Sequence, residues 1–218
     1  MPSDRFSSLP IAAAQVANLE SLGYLSMTPI QARCLPLVLA GQDLIAQAKT
    51  GSGKTAAFGL GLLEHINPRF FGVQALVLCP TRELADQVGK ELRRLARGIP
   101  NLKLVLLVGG KPAGPQRASL EQGAHIVVGT PGRVLDHLQR KSLQVEGLKT
   151  LVLDEADRML DMGFADSMAA IVAQAPKDRQ TLLFSATYPE EIKRISRSMQ
   201  RDPLRVSVEE EHAPGVIE

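Results

Sequence analysis

Ala48-Lys49-Thr50-Gly51-Ser52-Gly53-Lys54-Thr55 stands between a short apolar run, residues 43–47, and a helix-patterned stretch, residues 54–66. Strand, glycine-rich turn and helix together make the setting in which backbone N–H groups cradle phosphate oxygens. The glycines let the chain curl, and the helix N-terminus adds its partial positive charge. On this reading Lys54 reaches the β- and γ-phosphates of a nucleotide and the Thr55 hydroxyl ligates Mg²⁺. The stricter form of the pattern has glycine where Ala48 stands, so the match rests on Gly51-Ser52-Gly53-Lys54-Thr55. The bland alternative is a Gly/Ser turn before a helix with a surface lysine.

Outward from this loop, six more runs resemble the first: residues 74–79, 104–108, 125–129, 150–154, 181–185 and 204–208. They are near-continuously apolar rather than alternating, as parallel strands covered on both faces should be. Helical patterns fill intervening stretches such as 82–97 and 189–200, and two more precede the first strand, at 10–22 and 29–40. Alternating strand and helix implies an α/β fold with a parallel sheet of about seven strands, helices on both faces and right-handed crossovers. The expected organisation is a helical segment at 1–40 packed on a core at 41–208. Residues 209–218, charged and then Pro-Gly, read as a linker to something further on.

Composition narrows the function classes. The 218 residues are 44% hydrophobic and 22% charged, an ordinary globular balance that excludes collagen-like, disordered and coiled-coil chains. Cys34 and Cys79 are too few for a disulfide framework, and four scattered histidines do not suggest a metal cluster. No apolar run approaches a membrane span and no signal peptide is apparent, so a cytoplasmic protein is expected. Net charge is +2, but without the four acids of the last ten residues the remainder carries +6, which permits a polyanionic partner. Aromatics are only 4% with no tryptophan, so a nucleic acid would be gripped by its backbone rather than by base stacking.

Thr150-Leu151-Val152-Leu153-Asp154 is a buried strand ending in an acid, followed by Glu155, Ala156 and Asp157. Ligands of open α/β sheets bind beyond the carboxyl ends of strands, where the phosphate loop also lies. There Asp154 can hold Mg²⁺ largely through water, and Glu155 can polarise a water for in-line attack on the γ-phosphate. Taken alone, an acid at this place could simply cap the following helix.

Asp154-Glu155-Ala156-Asp157 resembles the signature of the DEAD-box RNA helicases, and the rest of that family's first-domain motif set follows in order. Gly23-Tyr24-Leu25-Ser26-Met27-Thr28-Pro29-Ile30-Gln31, with an upstream aromatic at Phe6, is similar to the adenine-reading motif. Then come the phosphate loop, Pro80-Thr81-Arg82-Glu83-Leu84, Gly109-Gly110, Thr130-Pro131-Gly132-Arg133, the acidic motif and Ser185-Ala186-Thr187. The similarity spans roughly residues 6–208. Met27 departs from the family, which more often has proline there. Within the family, residues 50–63 and 78–88 look most like the bacterial DbpA type, helicases that act on large-subunit ribosomal RNA in ribosome assembly.

The resemblance implies a RecA-like P-loop NTPase domain that binds ATP and Mg²⁺. Gln31 would read the adenine edge, with Thr28 beside it, and Tyr24 would stack on the ring. Ala48, Lys49, Thr50, Gly51, Ser52, Gly53, Lys54 and Thr55 would hold the phosphates, while Thr55 and Asp154 would serve the ion. Lys54, Asp154, Glu155, Asp157, Ser185 and Thr187 form the expected catalytic set, the two hydroxyls bonding to the acidic cluster so as to couple phosphate state to RNA. Arg82, Gly109, Gly110, Thr130, Gly132 and Arg133 look like RNA-backbone contacts: small residues admit close approach, and Arg and Thr supply phosphate donors. Contacts to phosphate and 2′-OH would leave the domain largely indifferent to base sequence.

The family hydrolyses ATP between two such domains, the second supplying arginines, and no second set follows Ser185. The resemblance therefore implies a partner RecA-like domain in cis, a monomer, and little activity from these residues by themselves. Competing classes at this point are a DNA translocase of related fold, a nucleotide-gated RNA clamp that never unwinds, and a structural α/β module. A nucleotide titration, RNA-versus-DNA stimulation and strand displacement separate them.

Overall fold

Parallel pairing joins β1 (Leu44–Gln47), β2 (Ala75–Leu78), β3 (Leu104–Leu107), β4 (Ile126–Gly129), β5 (Thr150–Leu153), β6 (Gln180–Ser185) and β7 (Leu204–Ser207) into one sheet. The strand order is β3-β4-β2-β5-β6-β1-β7, and each apolar run read from the sequence matches one strand to within a residue at either end. The computed structural model describes residues 3–208; the expected linker at 209–218 lies outside them.

The near-continuous apolar character of the interior strands has a direct structural cause. Leu44, Ala46, Val77, Val152 and Phe184 point to one face, whereas Ile45, Leu76, Leu78, Leu151, Leu153 and Leu183 point to the other, and all are buried. On the first face they meet Leu35 of α2 (Pro29–Leu39), Phe58 of α3 (Lys54–Glu64) and Leu92 of α4 (Arg82–Leu95). On the second they meet Val134 of α6 (Pro131–Gln139), Met159 of α7 (Ala156–Asp161), Met168 of α8 (Ala165–Gln174) and Ile192 of α9 (Glu190–Met199). Burying a large apolar side chain fully contributes about 1.5–3 kcal/mol, so both faces stabilise the sheet and neither could tolerate polar alternation. At α2–α3 the helices come close enough that a Cβ on Gly61 would lie 2.0 Å from Val38 Cγ1.

Amino-terminal to the sheet, α1 (Ala13–Ser21) docks on the end of α4. Gln15 Nε2 donates to the Leu95 carbonyl at 2.9 Å and Asn18 Nδ2 to the Leu95 and Arg94 carbonyls at 3.1 and 3.2 Å. These are the orphan acceptors of a helix C-terminus, satisfied here across the fold. α1 starts at Ala13, later than the pattern from residue 10 suggests, because residue 12 is extended and offers no side-chain cap.

What matters for function is the carboxyl edge of the sheet. β1, β5 and β6 are neighbours, and the segments leaving them hold the phosphate loop, Asp154 and Ser185. β3, β4 and β2 form the adjoining half, and the segments leaving them hold Gly109-Gly110, Thr130–Arg133 and Arg82; α5 (Ala113–Glu121) connects β3 to β4.

Candidate active site

The phosphate loop takes its shape from two glycines in the left-handed region, Gly51 (φ +81°) and Gly53 (φ +84°), the second being the N-cap of α3. Side chains rarely adopt that conformation, and at Gly53 there is also no room for one. Lys54 opens α3 with only 6% of its surface exposed, and its Nζ lies 3.0 Å from Asp154 Oδ1 and 3.5 Å from Glu155 Oε1. Thr50 Oγ1 reaches Glu155 Oε1 at 3.3 Å, and the Ala48 N–H donates to the Ser185 carbonyl at 3.0 Å. The loop and the acid pair, 100 positions apart in the chain, therefore converge. Thr55 follows Lys54 on the first turn of α3.

Asp154 is completely buried, and apart from the Lys54 ion pair neither carboxylate oxygen has a hydrogen-bond partner among the described residues. Burial pushes its carboxyl pKa up, the Lys54 ammonium pulls it back, and the Glu155 charge adds to the rise. A buried, under-satisfied carboxylate is costly unless a cation or water shell completes it. The Ser52 and Ser185 hydroxyls are likewise buried without partners. These orphaned groups around one loop suit a hydrated Mg²⁺ carried by a triphosphate.

Glu155 sits at φ 52°, ψ 53°, a left-handed conformation that costs a non-glycine residue about 1–2 kcal/mol. The twist turns the chain from β5 into α7 and brings the carboxylate back over Lys54, with Arg158 Nη1 at 3.4 Å from Oε2. Strain of this kind is stored at sites where geometry is used. Asp157 Oδ2 accepts from the Thr187 N–H at 3.2 Å and from its hydroxyl at 3.0 Å. The expectation that both hydroxyls of Ser185-Ala186-Thr187 bond to the acids holds only for Thr187. Ser185 is still paired in the sheet opposite Gln47, so the strand pleat directs its hydroxyl, whereas Thr187 is on the turn beyond.

Thr28 and Gln31 are placed differently from what the adenine-reading resemblance implies. They form a capping box at the start of α2: the Thr28 hydroxyl accepts from the Gln31 N–H, and Gln31 Oε1 accepts from the Thr28 N–H at 2.9 Å. The same two side chains then donate to the phosphate loop, Thr28 Oγ1 to the Ser52 carbonyl at 2.9 Å and Gln31 Nε2 to the Gly53 carbonyl at 3.0 Å. Gln31 is 1% exposed, with both ends of its amide in use, so in this conformation it grips the loop rather than facing a ligand. A Thr-x-x-Gln pattern ahead of an apolar helix is a capping signal, and that signal could have revealed the role. Tyr24 does not line the cavity beside the loop. Its hydroxyl donates to Glu91 of α4 and its ring meets Phe6 edge-on at 6.1 Å, and burial pushes its pKa up.

Two clefts flank the loop and share Ala48 and Ala186. The larger, about 810 Å³, runs from Lys49, Gly51 and Ser52 to Thr28–Ile30 and to Arg205, Ser207 and Val208 at β7. The other, about 520 Å³, holds Thr50, Lys54, Glu155 and Asp157 with Glu83, Gln87, Arg158 and Asp161. Sequence reading missed Arg205, whose guanidinium lies 4.1 Å over the Tyr188 ring and donates to Gln47 Oε1 at 3.0 Å. Nothing local to β7 marks it; only the sheet order brings that edge strand beside β1.

The expected RNA contacts gather on the adjoining half of the same edge. Gly109, Gly110 and Gly132 are exposed, and a Cβ on Gly109 or Gly132 would meet open space. Arg82, the first residue of α4, has Nη1 3.3 Å from where a Gly110 Cβ would stand. Thr130 is the N-cap of α6, without a side-chain cap bond. Arg133 is half-buried, its Nη1 donating to the Lys111 carbonyl at 2.8 Å and to Gln116 Oε1 at 3.1 Å.

Known proteins resemble this chain in sequence and in fold. Residues 28–195 match the family described as DEAD/DEAH box helicase. The chain is 59% identical over 214 residues to the ATP-dependent RNA helicase DbpA of Escherichia coli strain K12, covering 98% of this chain and 47% of that protein. It is 48% identical to the DEAD-box ATP-dependent RNA helicase CshA of Streptococcus pneumoniae, covering 94% of this chain and 39% of that one. A crystal structure of a DEAD box protein from the hyperthermophile Methanococcus jannaschii superposes with a TM-score of 0.90 at 41% identity, over 94% of this chain and 56% of that one. The chain thus spans about half the length, or less, of these relatives. With most of its length inside the matched region and its sheet superposing on that structure, the chain belongs to the DEAD/DEAH box helicase family.

Proposed function

We propose that this chain is the first RecA-like domain of an ATP-dependent RNA helicase, binding ATP with Mg²⁺ and the RNA backbone, and that the whole protein couples ATP hydrolysis to local unwinding of RNA duplexes. The observation that carries the proposal is the convergence of Lys54, Asp154 and Glu155 within 3.0–3.5 Å beside the glycine loop. Loop amides and Lys54 would take the β- and γ-phosphates. Thr55 and the water shell at Asp154 would hold the ion, which supplies neutralisation of phosphate charge. Glu155, already turned toward the loop, would accept the proton of the attacking water. The half of the edge carrying Arg82, Gly109, Gly110, Thr130, Gly132 and Arg133 would take the RNA backbone, with little sequence preference.

Lys54 now neutralises both acids, so phosphates entering the loop must compete for its ammonium. That competition would make nucleotide and acid pair interdependent. Thr187, bonded to Asp157, would pass the change to the adjoining RNA-facing half. A second RecA-like domain in cis would add the arginines worth about 10³–10⁵ in rate, so these 218 residues alone should bind nucleotide weakly and hydrolyse it poorly. In the whole protein, ATP and RNA together would close the two domains and bend one strand, and hydrolysis would reopen them. The resemblance of residues 50–63 and 78–88 to the DbpA type is the ground for reading ribosomal RNA in ribosome assembly as the substrate of a cytoplasmic, monomeric protein. Among the described residues no helix is long and apolar enough to cross a membrane.

RNA-stimulated ATP turnover by these residues, set against the same residues joined to a second RecA-like domain, tests the proposal. Weak turnover alone and strong RNA stimulation when joined are expected. Full stimulation of the isolated chain, or stimulation by DNA equal to that by RNA, would overturn it.

A further inference from the structure

A buried polar network lies beneath the RNA-facing half of the edge, and the chemistry described so far leaves it without a role. At its centre is Gln116 of α5, 8% exposed. Its Nε2 donates to the carbonyl of Val108 at 2.9 Å, the residue directly before Gly109-Gly110. That donor fixes the amide's orientation, so Oε1 is the acceptor. Oε1 takes Arg133 Nη1 at 3.1 Å and faces His137 Nε2 at 3.0 Å. His137, on α6 and 1% exposed, therefore carries a proton on Nε2, and its Nδ1 lies 2.7 Å from the Ser142 hydroxyl, which also reaches the His137 carbonyl at 3.2 Å. Burial lowers the His137 pKa, which favours the neutral ring.

One side chain thus ties the backbone entering Gly109-Gly110 to the arginine that ends Thr130-Pro131-Gly132-Arg133. Those two segments leave different strands, β3 and β4, and Arg133 adds a second tie through the Lys111 carbonyl at 2.8 Å. The glycines themselves cannot set the spacing, since nothing stands within 4 Å of a Cβ at Gly109 or Gly132. β3 and β4 hold the two segments together at their bases, where the Thr130 N–H donates to the Leu107 carbonyl at 3.0 Å, and beyond that point the polar network ties them. A preformed spacing between two backbone-binding segments raises affinity because ordering is not required on binding.

We propose that Gln116 and His137 are positioning residues for RNA: His137 orients the Gln116 amide, and that amide holds the Gly109-Gly110 and Thr130–Arg133 segments at the separation that successive RNA phosphates require. This rests on the reading of those two segments as RNA contacts. Neither residue touches RNA or the nucleotide.

The test is a titration of the ¹⁵N-labelled chain with a single-stranded oligouridylate, following the amide signals of Gly109, Gly110 and Gly132, with parallel titrations of an ATP analogue. Gln116→Met and His137→Leu should weaken RNA binding about ten-fold, the effect of losing about 1.4 kcal/mol from a buried hydrogen bond, while analogue affinity stays unchanged. His137→Gln, which can present an N–H to Gln116 Oε1, should restore RNA binding to within a factor of about two. A merely structural role predicts lowered melting temperatures with RNA affinity intact in every variant, or equal loss of RNA and analogue binding; either result overturns the proposal. If RNA leaves all three glycine amides of the unsubstituted chain unmoved, the RNA reading itself fails first and this inference falls with it.

Discussion

Replacing Gly53 by alanine tests the clamp between α2 and the phosphate loop, and Gly51→Ala supplies its control. Both glycines are left-handed, at φ +84° and +81°, so each substitution should cost about 1–2 kcal/mol in backbone strain. At Gly51 nothing lies within 4 Å of the added Cβ, and strain is the whole effect. At Gly53 the Cβ would stand 2.5 Å from Gln31 Nε2 and 3.0 Å from Thr28 Oγ1, the two atoms that donate to the loop carbonyls. Moving them aside forfeits two hydrogen bonds at about 0.5–1.5 kcal/mol each. Gly53→Ala should thus lose about 1–3 kcal/mol more than Gly51→Ala, the sum of those two bonds. For a domain of this size each kcal/mol moves the melting temperature by about 2–4 °C. Thermal unfolding of the nucleotide-free chain measures this, and Gln31→Ala in the Gly53→Ala background should recover part of the difference. Equal losses at the two glycines would refute the clamp.

Two further outcomes are expected. Glu155→Gln should leave ATP-analogue affinity within about three-fold and abolish RNA-stimulated phosphate release in the two-domain protein, since the group that would take the water's proton is gone while the loop remains; turnover at the original rate would remove Glu155 from that role. His137, with its pKa lowered by burial, binds fewer protons folded than unfolded once the pH drops below about 6.5, so its contribution is present above that pH and is lost on acidification. Urea unfolding at neutral and mildly acidic pH should show a smaller acid-side loss of stability in His137→Gln than in the unsubstituted chain.

Much of the fold is legible in the sequence, for a physical reason. Strands such as 75–78 and 150–153 are buried on both faces, which leaves an unbroken apolar signature. The site was legible where its chemistry is contiguous: Gly51-Ser52-Gly53-Lys54 and Asp154-Glu155 each carry their own pattern, and the structure brings them together. It was illegible where partners come from distant strands. Arg205 enters the larger cleft only because β7 pairs with β1, and Gln116 is tied to Arg133 only through the β3–β4 arrangement. Gln31 falls between these cases. Its residue type suggested a base reader, yet its spacing from Thr28 is that of a helix cap, and the cap geometry is what commits its amide to the Gly53 carbonyl.

In the proposed function, loop and acids serve one magnesium-bound triphosphate. Fluorescent ATP-analogue binding, measured with Mg²⁺ and with the metal chelated, compares the unsubstituted chain with Asp154→Asn most directly. Mg²⁺ should tighten binding in the first and have little effect in the second, while the two bind alike without metal. An undiminished Mg²⁺ effect in Asp154→Asn would contradict the account.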